Sequence, residues 1–100
     1  MKVVWTQTAL NHLTDIFGYI ARDSEQYAGR MVDRITSRSK QIGDFPESGE
    51  VVPEYGEPTI REVIEGPYRI LYRIERDRIA VVAVIHGARQ LSPEPPDEDS

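Results

Sequence analysis

A chain of 100 residues, 39% hydrophobic and 29% charged, has the size and balance of one globular domain around a single small core. It contains no cysteine, which excludes disulfides and thiol chemistry, and its two histidines are too far apart in sequence to suggest a zinc site. The net charge of −5 comes mostly from the last nine residues, SPEPPDEDS, and the remaining body has 13 acidic against 12 basic residues, which excludes a strongly basic nucleic-acid binder.

No window approaches the eighteen or so uninterrupted apolar residues of a membrane span. The N-terminal run goes directly into a strand-like pattern with no signal-peptide h-region, so the expected location is the cytoplasm. No glycine-rich nucleotide motif or metal-ligand cluster is present, so no cofactor is expected.

In chain order, Lys2–Trp5 reads as a short strand, and Thr6 suits a helix N-cap because its hydroxyl can accept an orphan backbone N–H. Ala9, Leu10, Leu13, Ile16, Phe17 and Ile20 then form one helical apolar stripe, with Leu13 and Phe17 expected near the centre of the packing. His12 falls off that stripe and reads as a surface residue. Arg22, Asp23 and Ser24 interrupt the pattern, and a second helix follows with Ala28, Met31, Val32, Ile35 and Ile42 inward and Gly43 as a C-terminal stop. The short break predicts an antiparallel helix hairpin.

Residues 43–59 form a long connection carrying three prolines and several glycines, in which Val51, Val52 and Tyr55 are expected to pack on the body. Residues 60–89 then read as three strands joined by tight turns at Gly66-Pro67 and Arg76-Asp77. In the middle strand Tyr68, Ile70, Tyr72 and Ile74 alternate with Arg69, Leu71, Arg73 and Glu75. The last strand is apolar on both sides, Ile79, Val81, Ala83 and Ile85 against Ala80, Val82 and Val84, which predicts a central strand covered on both faces. The resulting class is α+β: a two-layer domain of N-terminal strand, helix hairpin and three-stranded antiparallel meander over residues 1–91. Residues 92–100 form an acidic tail with no large apolar side chain, expected to be disordered.

Two helices cover one sheet face, so the other must be covered by the long loop, by a partner, or by both. The residues able to carry chemistry are Arg61, Arg69, Arg73, His86 and Arg89, all on or just after the meander. Guanidinium groups clustered there can grip phosphate or an acidic partner. The alternative is a solvated face with cross-strand pairs to Glu62, Glu65 and Glu75. His86 has the intrinsic pKa of a general acid or base, although a lone strand-end histidine is more often structural or simply exposed.

Three segments, VVWTQTALNHLTDIFGYIA, DFPESGEVV and IREVIEGPYRILYRIERDRIAVVAVIHGARQ, resemble the ParE/RelE superfamily of bacterial toxins in their order and spacing. The R-E-x-x-x-G-x-Y-R-I-x-Y-R-I pattern and the closing V-x-H-G-x-R are similar to the ParE branch. The resemblance implies the same two-layer fold and a toxin neutralised by a ParD-like antitoxin, whose C-terminal segment would lie over apolar surface expected at Tyr68, Ile70, Tyr72, Val82 and Val84. ParE members act on DNA gyrase, which implies a target-binding surface at Arg61, Arg73, His86 and Arg89 and no catalytic residues. RelE members cut mRNA on the ribosome, and that alternative would place the phosphate charge on Arg61 and Arg73 and the acid or base on His86. A third possibility is a non-toxic member that only binds its antitoxin. Gly87-Ala88 after His86, and the absence of any tyrosine beyond Tyr72, favour the gyrase branch.

Overall fold

A computed structural model describes residues 1–96 of the chain. The elements run β1 (Lys2–Trp5), α1 (Gln7–Ala21), α2 (Glu25–Asp44), β2 (Glu50–Val51), β3 (Ile60–Glu65), β4 (Tyr68–Ile74) and β5 (Arg78–His86). They form one five-stranded sheet in the order β1-β5-β4-β3-β2, with the helix hairpin on one face. The meander β3-β4-β5 is antiparallel as expected, and β1 adds to β5 in parallel. β5 is therefore interior, and its seven residues Ile79 to Ile85 are all buried.

Both helices begin at a capping hydroxyl, as expected for Thr6. Thr6 Oγ1 accepts the Ala9 N–H at 3.1 Å, and Ser24 Oγ accepts the Tyr27 N–H at 3.1 Å. Gly43 does not stop α2, which runs on to Asp44. Gly43 is needed for close approach instead: a Cβ there would meet the Met1 carbonyl oxygen at 2.6 Å, where α2 crosses the start of β1. The apolar stripe of α1 is wider than the surface it covers. Ala9 and Ile16 are buried and Leu13 and Ile20 partly so, but Leu10 and Phe17 remain 42% and 39% exposed. Phe17 is thus at the rim of the packing rather than its centre.

The sheet has an irregularity that alternation alone does not foresee. Leu71 pairs with Ala83 but Tyr72 pairs with Val81, leaving Val82 without a partner on β4. This β-bulge reverses the side-chain phase along β5. Ile79, Val81 and Val84 face the helices, whereas Ala80, Val82, Ala83 and Ile85 share the second face. The expected grouping of Ala83 and Ile85 with Ile79 and Val81 is thereby corrected.

The second face has its own core of Val52, Ile60, Leu71, Ala80, Val82, Ala83 and Ile85, with Val4, Tyr55 and Leu91 packed against it. The long connection covers much of this face, as expected from Val52 and Tyr55. Its short strand β2 pairs with β3 at the sheet edge. Tyr72 anchors the loop from the helix side, donating its hydroxyl to Pro46 O at 2.7 Å and accepting the Gly49 N–H at 3.0 Å. Leu91 and the described tail residues 92–96 pass back over the second face. Residues 97–100 lie outside the described residues, so the expectation for them is not addressed.

Candidate functional site

The bulge and the alternation of β4 decide where each candidate residue lies. Arg61 is opposite Tyr72, whose ring joins the helix-side core, while Arg73 is opposite Ile60, which belongs to the second-face core. Neighbouring register positions thus send the two arginines to opposite faces. Arg61 is tied to backbone, donating through Nε to Pro58 O and through Nη1 to Gly49 O, each at 3.0 Å. It holds the long connection against the sheet edge. Arg73 is half-buried and donates through Nη2 to Pro96 O at 3.2 Å.

Arg69 is a structural hub. Its Nη1 and Nη2 grip both Glu54 carboxylate oxygens at 2.9 Å, and its Nε donates to Glu62 Oε1. These hydrogen bonds raise the pKa of the guanidinium, and the same bidentate contact lowers the Glu54 carboxyl to about 2. Among the anticipated cross-strand pairs, Arg69–Glu62 forms, whereas Glu65 pairs with Arg34 of α2 at 2.8 Å and Glu75 with Arg78 across the β4-β5 turn.

His86 and Arg89 sit at the other end of the sheet. His86 is opposite Tyr68, five residues along β4 from Arg73, or about 16 Å at strand spacing. Arg61, Arg73 and His86 are therefore not brought to one point. His86 is exposed, its ring packs edge-on against Tyr68 with centroids 5.8 Å apart, and its Nδ1 accepts the Ala88 N–H at 3.2 Å. No carboxylate or second imidazole orients it among the described residues, as a general acid or base would require.

His86 and Arg89 instead border an open cleft of about 410 Å³ between α1 and the end of β5, also lined by His12, Asp15, Tyr19 and Tyr68. The α1 residues of this cleft were not anticipated. His12 is half-buried and its Nδ1 accepts the Val84 N–H at 3.1 Å. Burial first, and then the Arg89 charge, lower its pKa. The available signal was spacing: His12 is three residues after Ala9 and four before Ile16, both buried, and Asp15 and Tyr19 continue that line.

The residues expected to receive an antitoxin are placed inside the domain. Tyr68, Ile70, Tyr72 and Val84 belong to the helix-side core and Val82 to the second-face core, with none more than 7% exposed. The expected open surface there is corrected: the helix hairpin covers the first four, and the bulge turns Val82 beneath the loop side. Among the described residues, the exposed large apolar side chains are elsewhere, at Met1, at Leu10, Phe17 and Tyr19 on α1, Tyr27 on α2, Phe45, and Ile64 on β3.

The described residues contain no cluster of histidines and carboxylates able to hold a metal ion, and no helix long and apolar enough to cross a membrane. The arrangement offers cationic and aromatic contact surface at two separate ends of the sheet, not a converged acid–base set.

Three comparisons bear on identity. Residues 3–91 match the family described as the ParE toxin of the type II toxin–antitoxin system parDE. The chain is 35% identical over 89 residues to Toxin RelE2 of Caulobacter vibrioides, covering 88% of this chain and 97% of that protein. It is also 35% identical over 91 residues to Y4kP of Sinorhizobium fredii, covering 89% and 91%. Its fold is similar to a chain of the chromosomal ParDE system of P. aeruginosa, with a TM-score of 0.72 at 21% identity over 86% of this chain and 95% of that one. With the two-layer fold and nearly the whole chain matched, this protein belongs to the ParE toxin family of type II toxin–antitoxin systems.

Proposed function

We propose that this toxin works by binding, inhibiting DNA gyrase so that cleaved DNA accumulates, and that a ParD-like antitoxin neutralises it. The observation that carries this reading is the separation of Arg61, Arg73 and His86. Two arginines on opposite sheet faces and a histidine about 16 Å along the strand do not form the acid, base and phosphate clamp that RNA cleavage requires. A binding surface has no such need for convergence. Arg73, His86 and Arg89 are the contact residues in this reading, and Arg61 contributes by holding the long connection against the sheet edge. A gyrase-directed toxin works in the cytoplasm and needs no cofactor.

The antitoxin is proposed to cover the exposed apolar line of α1, centred on Leu10 and Phe17, because the core residues of the sheet have no free surface. Inhibition of gyrase supercoiling by the purified toxin tests the target. Arg73→Ala and Arg89→Ala are expected to weaken inhibition gradually, and addition of the antitoxin to relieve it.

The second reading is a RelE-like ribosome-dependent mRNA endonuclease. The name of the Caulobacter relative favours it, as does the cleft where His12, His86 and Arg89 meet. In that reading the acid–base work lies at His86 with Arg89, not at the far end of β4. A member that binds its antitoxin without toxicity would inhibit neither gyrase nor translation.

A further inference from the structure

Residues 91–96 form a strap across the second sheet face, and the way it is held points to a use for that face. Leu91 packs into the second-face core at one end. Tyr55 then donates its hydroxyl to Ser92 O at 3.2 Å, and Arg73 donates Nη2 to Pro96 O at 3.2 Å. Beyond Leu91 both of these anchors grip backbone carbonyls, four residues apart. Pro93, Pro95 and Pro96 restrict the backbone between the anchors, and the segment bends at Pro93 and Glu94.

The strap does not fill the space beneath it. About 780 Å³ remains between the strap and a wall formed by His12, Tyr55, Ala83, Ile85 and Arg89. Residues 92–96 are serine, proline and glutamate, with no large apolar side chain to enter that space. Arg89 lines it and Arg73 is bonded to Pro96 at its edge, so the local charge favours an acidic segment, as the strap's own sequence is.

We propose that the second sheet face is a peptide groove, occupied at rest by the chain's own strap, whose external ligand is an acidic segment bearing one large apolar side chain. The external segment would make the same carbonyl contacts to Tyr55 and Arg73 and place its apolar side chain over Ala83 and Ile85. Because the strap is attached in cis it competes at high effective concentration, and an external ligand must displace it. The groove rests on the binding-toxin reading and deepens it, because Arg73 and Arg89 are also contact residues there, but its test needs neither gyrase nor antitoxin.

The test uses the full chain, isotopically labelled, in two forms: wild type, and a variant with Pro93→Gly, Pro95→Gly and Pro96→Gly that loosens the strap and leaves the groove intact. Each is titrated with the synthetic peptide SPEPPDEDS and with the same peptide carrying Pro95→Leu, followed by amide chemical shifts. The loosened chain is expected to bind both peptides, the leucine peptide more tightly. Shifts should map to Tyr55, Ala83, Ile85 and Arg89, and added salt should weaken binding. Wild type should bind about tenfold more weakly, as expected if its groove is free about one-tenth of the time. Arg73→Ala in the loosened chain should abolish saturable binding. No binding to the loosened chain, equal affinity for the two chains, or equal binding of a peptide with lysine in place of every acidic residue would overturn the proposal.

Discussion

The Nδ1 of His12 accepts the backbone N–H of Val84 at 3.1 Å, joining two residues 72 positions apart. β1 accompanies β5 only as far as Val81, and Thr6 makes the last parallel hydrogen bond, its N–H donating to Val81 O. Beyond that point, the bulge at Val82 turns the Val84 N–H toward α1, where the imidazole completes the ladder. His12→Ala should therefore cost about 1–3 kcal/mol, the price of a buried donor left unsatisfied. A protonated imidazole cannot accept at Nδ1, and the fold holds the His12 pKa below its ordinary 6.5. The stabilisation should be complete above pH 6.5 and be lost as pH falls through the depressed value. Urea midpoints of the wild type and of His12→Ala, measured from pH 8 downward, should converge on acidification. A constant gap would mean that His12 contributes only by packing.

Tyr72 ties the loop to the sheet through two hydrogen bonds at one hydroxyl. Tyr72→Phe should destabilise by about 1–3 kcal/mol, since Gly49 N–H and Pro46 O lose their partner together. Gly49→Ala should do more harm, because its Cβ would lie 2.4 Å from the Tyr72 hydroxyl oxygen and 2.6 Å from the Glu62 carbonyl oxygen. Chemical denaturation checks both. An alanine at 49 tolerated without loss would show that this loop is not seated where described.

Glu54 should titrate near 2, well below an ordinary carboxylate, because Arg69 holds both of its oxygens. Its contribution is present above the unfolded value of 4.5 and is lost as pH falls toward 2. Carboxyl-detected NMR titration of Arg69→Ala should return Glu54 to the ordinary range. The cost in stability should approach the ~3–5 kcal/mol of breaking a buried pair, because Glu62, 12% exposed, is left unpaired, whereas Glu54, 40% exposed, adds little. An unchanged Glu54 titration in Arg69→Ala would separate the shift from the ion pair.

Ile16 and Phe17 are adjacent on α1 but differ in burial, 9% against 39% exposed. Ile16→Ala should cost roughly 2–5 kcal/mol. Phe17→Ala should cost less than about 1 kcal/mol, in keeping with a largely surface change, while weakening the antitoxin complex in a titration with the purified partner. A Phe17→Ala variant that binds antitoxin at full strength would move that interface off α1.

What the sequence showed and what it hid have physical causes. Thr6 announced the start of α1 because a capping hydroxyl followed by a periodic apolar run has few other uses. The interior place of β5 was equally visible in its unbroken apolar run. That same run concealed the bulge, because no polar residue between Ile79 and Ile85 marks where the phase changes. The strap was hidden because its anchors are backbone carbonyls, while its acidic and proline-rich side chains read as a segment with nothing to bury. The arginines were found as a group, but strand alternation and length separated them: Arg69 into a pair of carboxylates, Arg61 onto loop backbone, and Arg73 far from His86.

This toxin is proposed to act by binding gyrase rather than by cutting RNA. The most direct measurement pairs two assays on one preparation, gyrase-mediated DNA cleavage and mRNA cleavage on translating ribosomes, for the wild type and His86→Ala. The wild type should accumulate gyrase-cleaved DNA and leave mRNA intact, and His86→Ala should retain much of that activity because a surface loses affinity piecemeal. Ribosomal mRNA cleavage that falls about 10²–10⁴-fold in His86→Ala, as loss of a general acid or base would cause, with gyrase unaffected, would contradict the account.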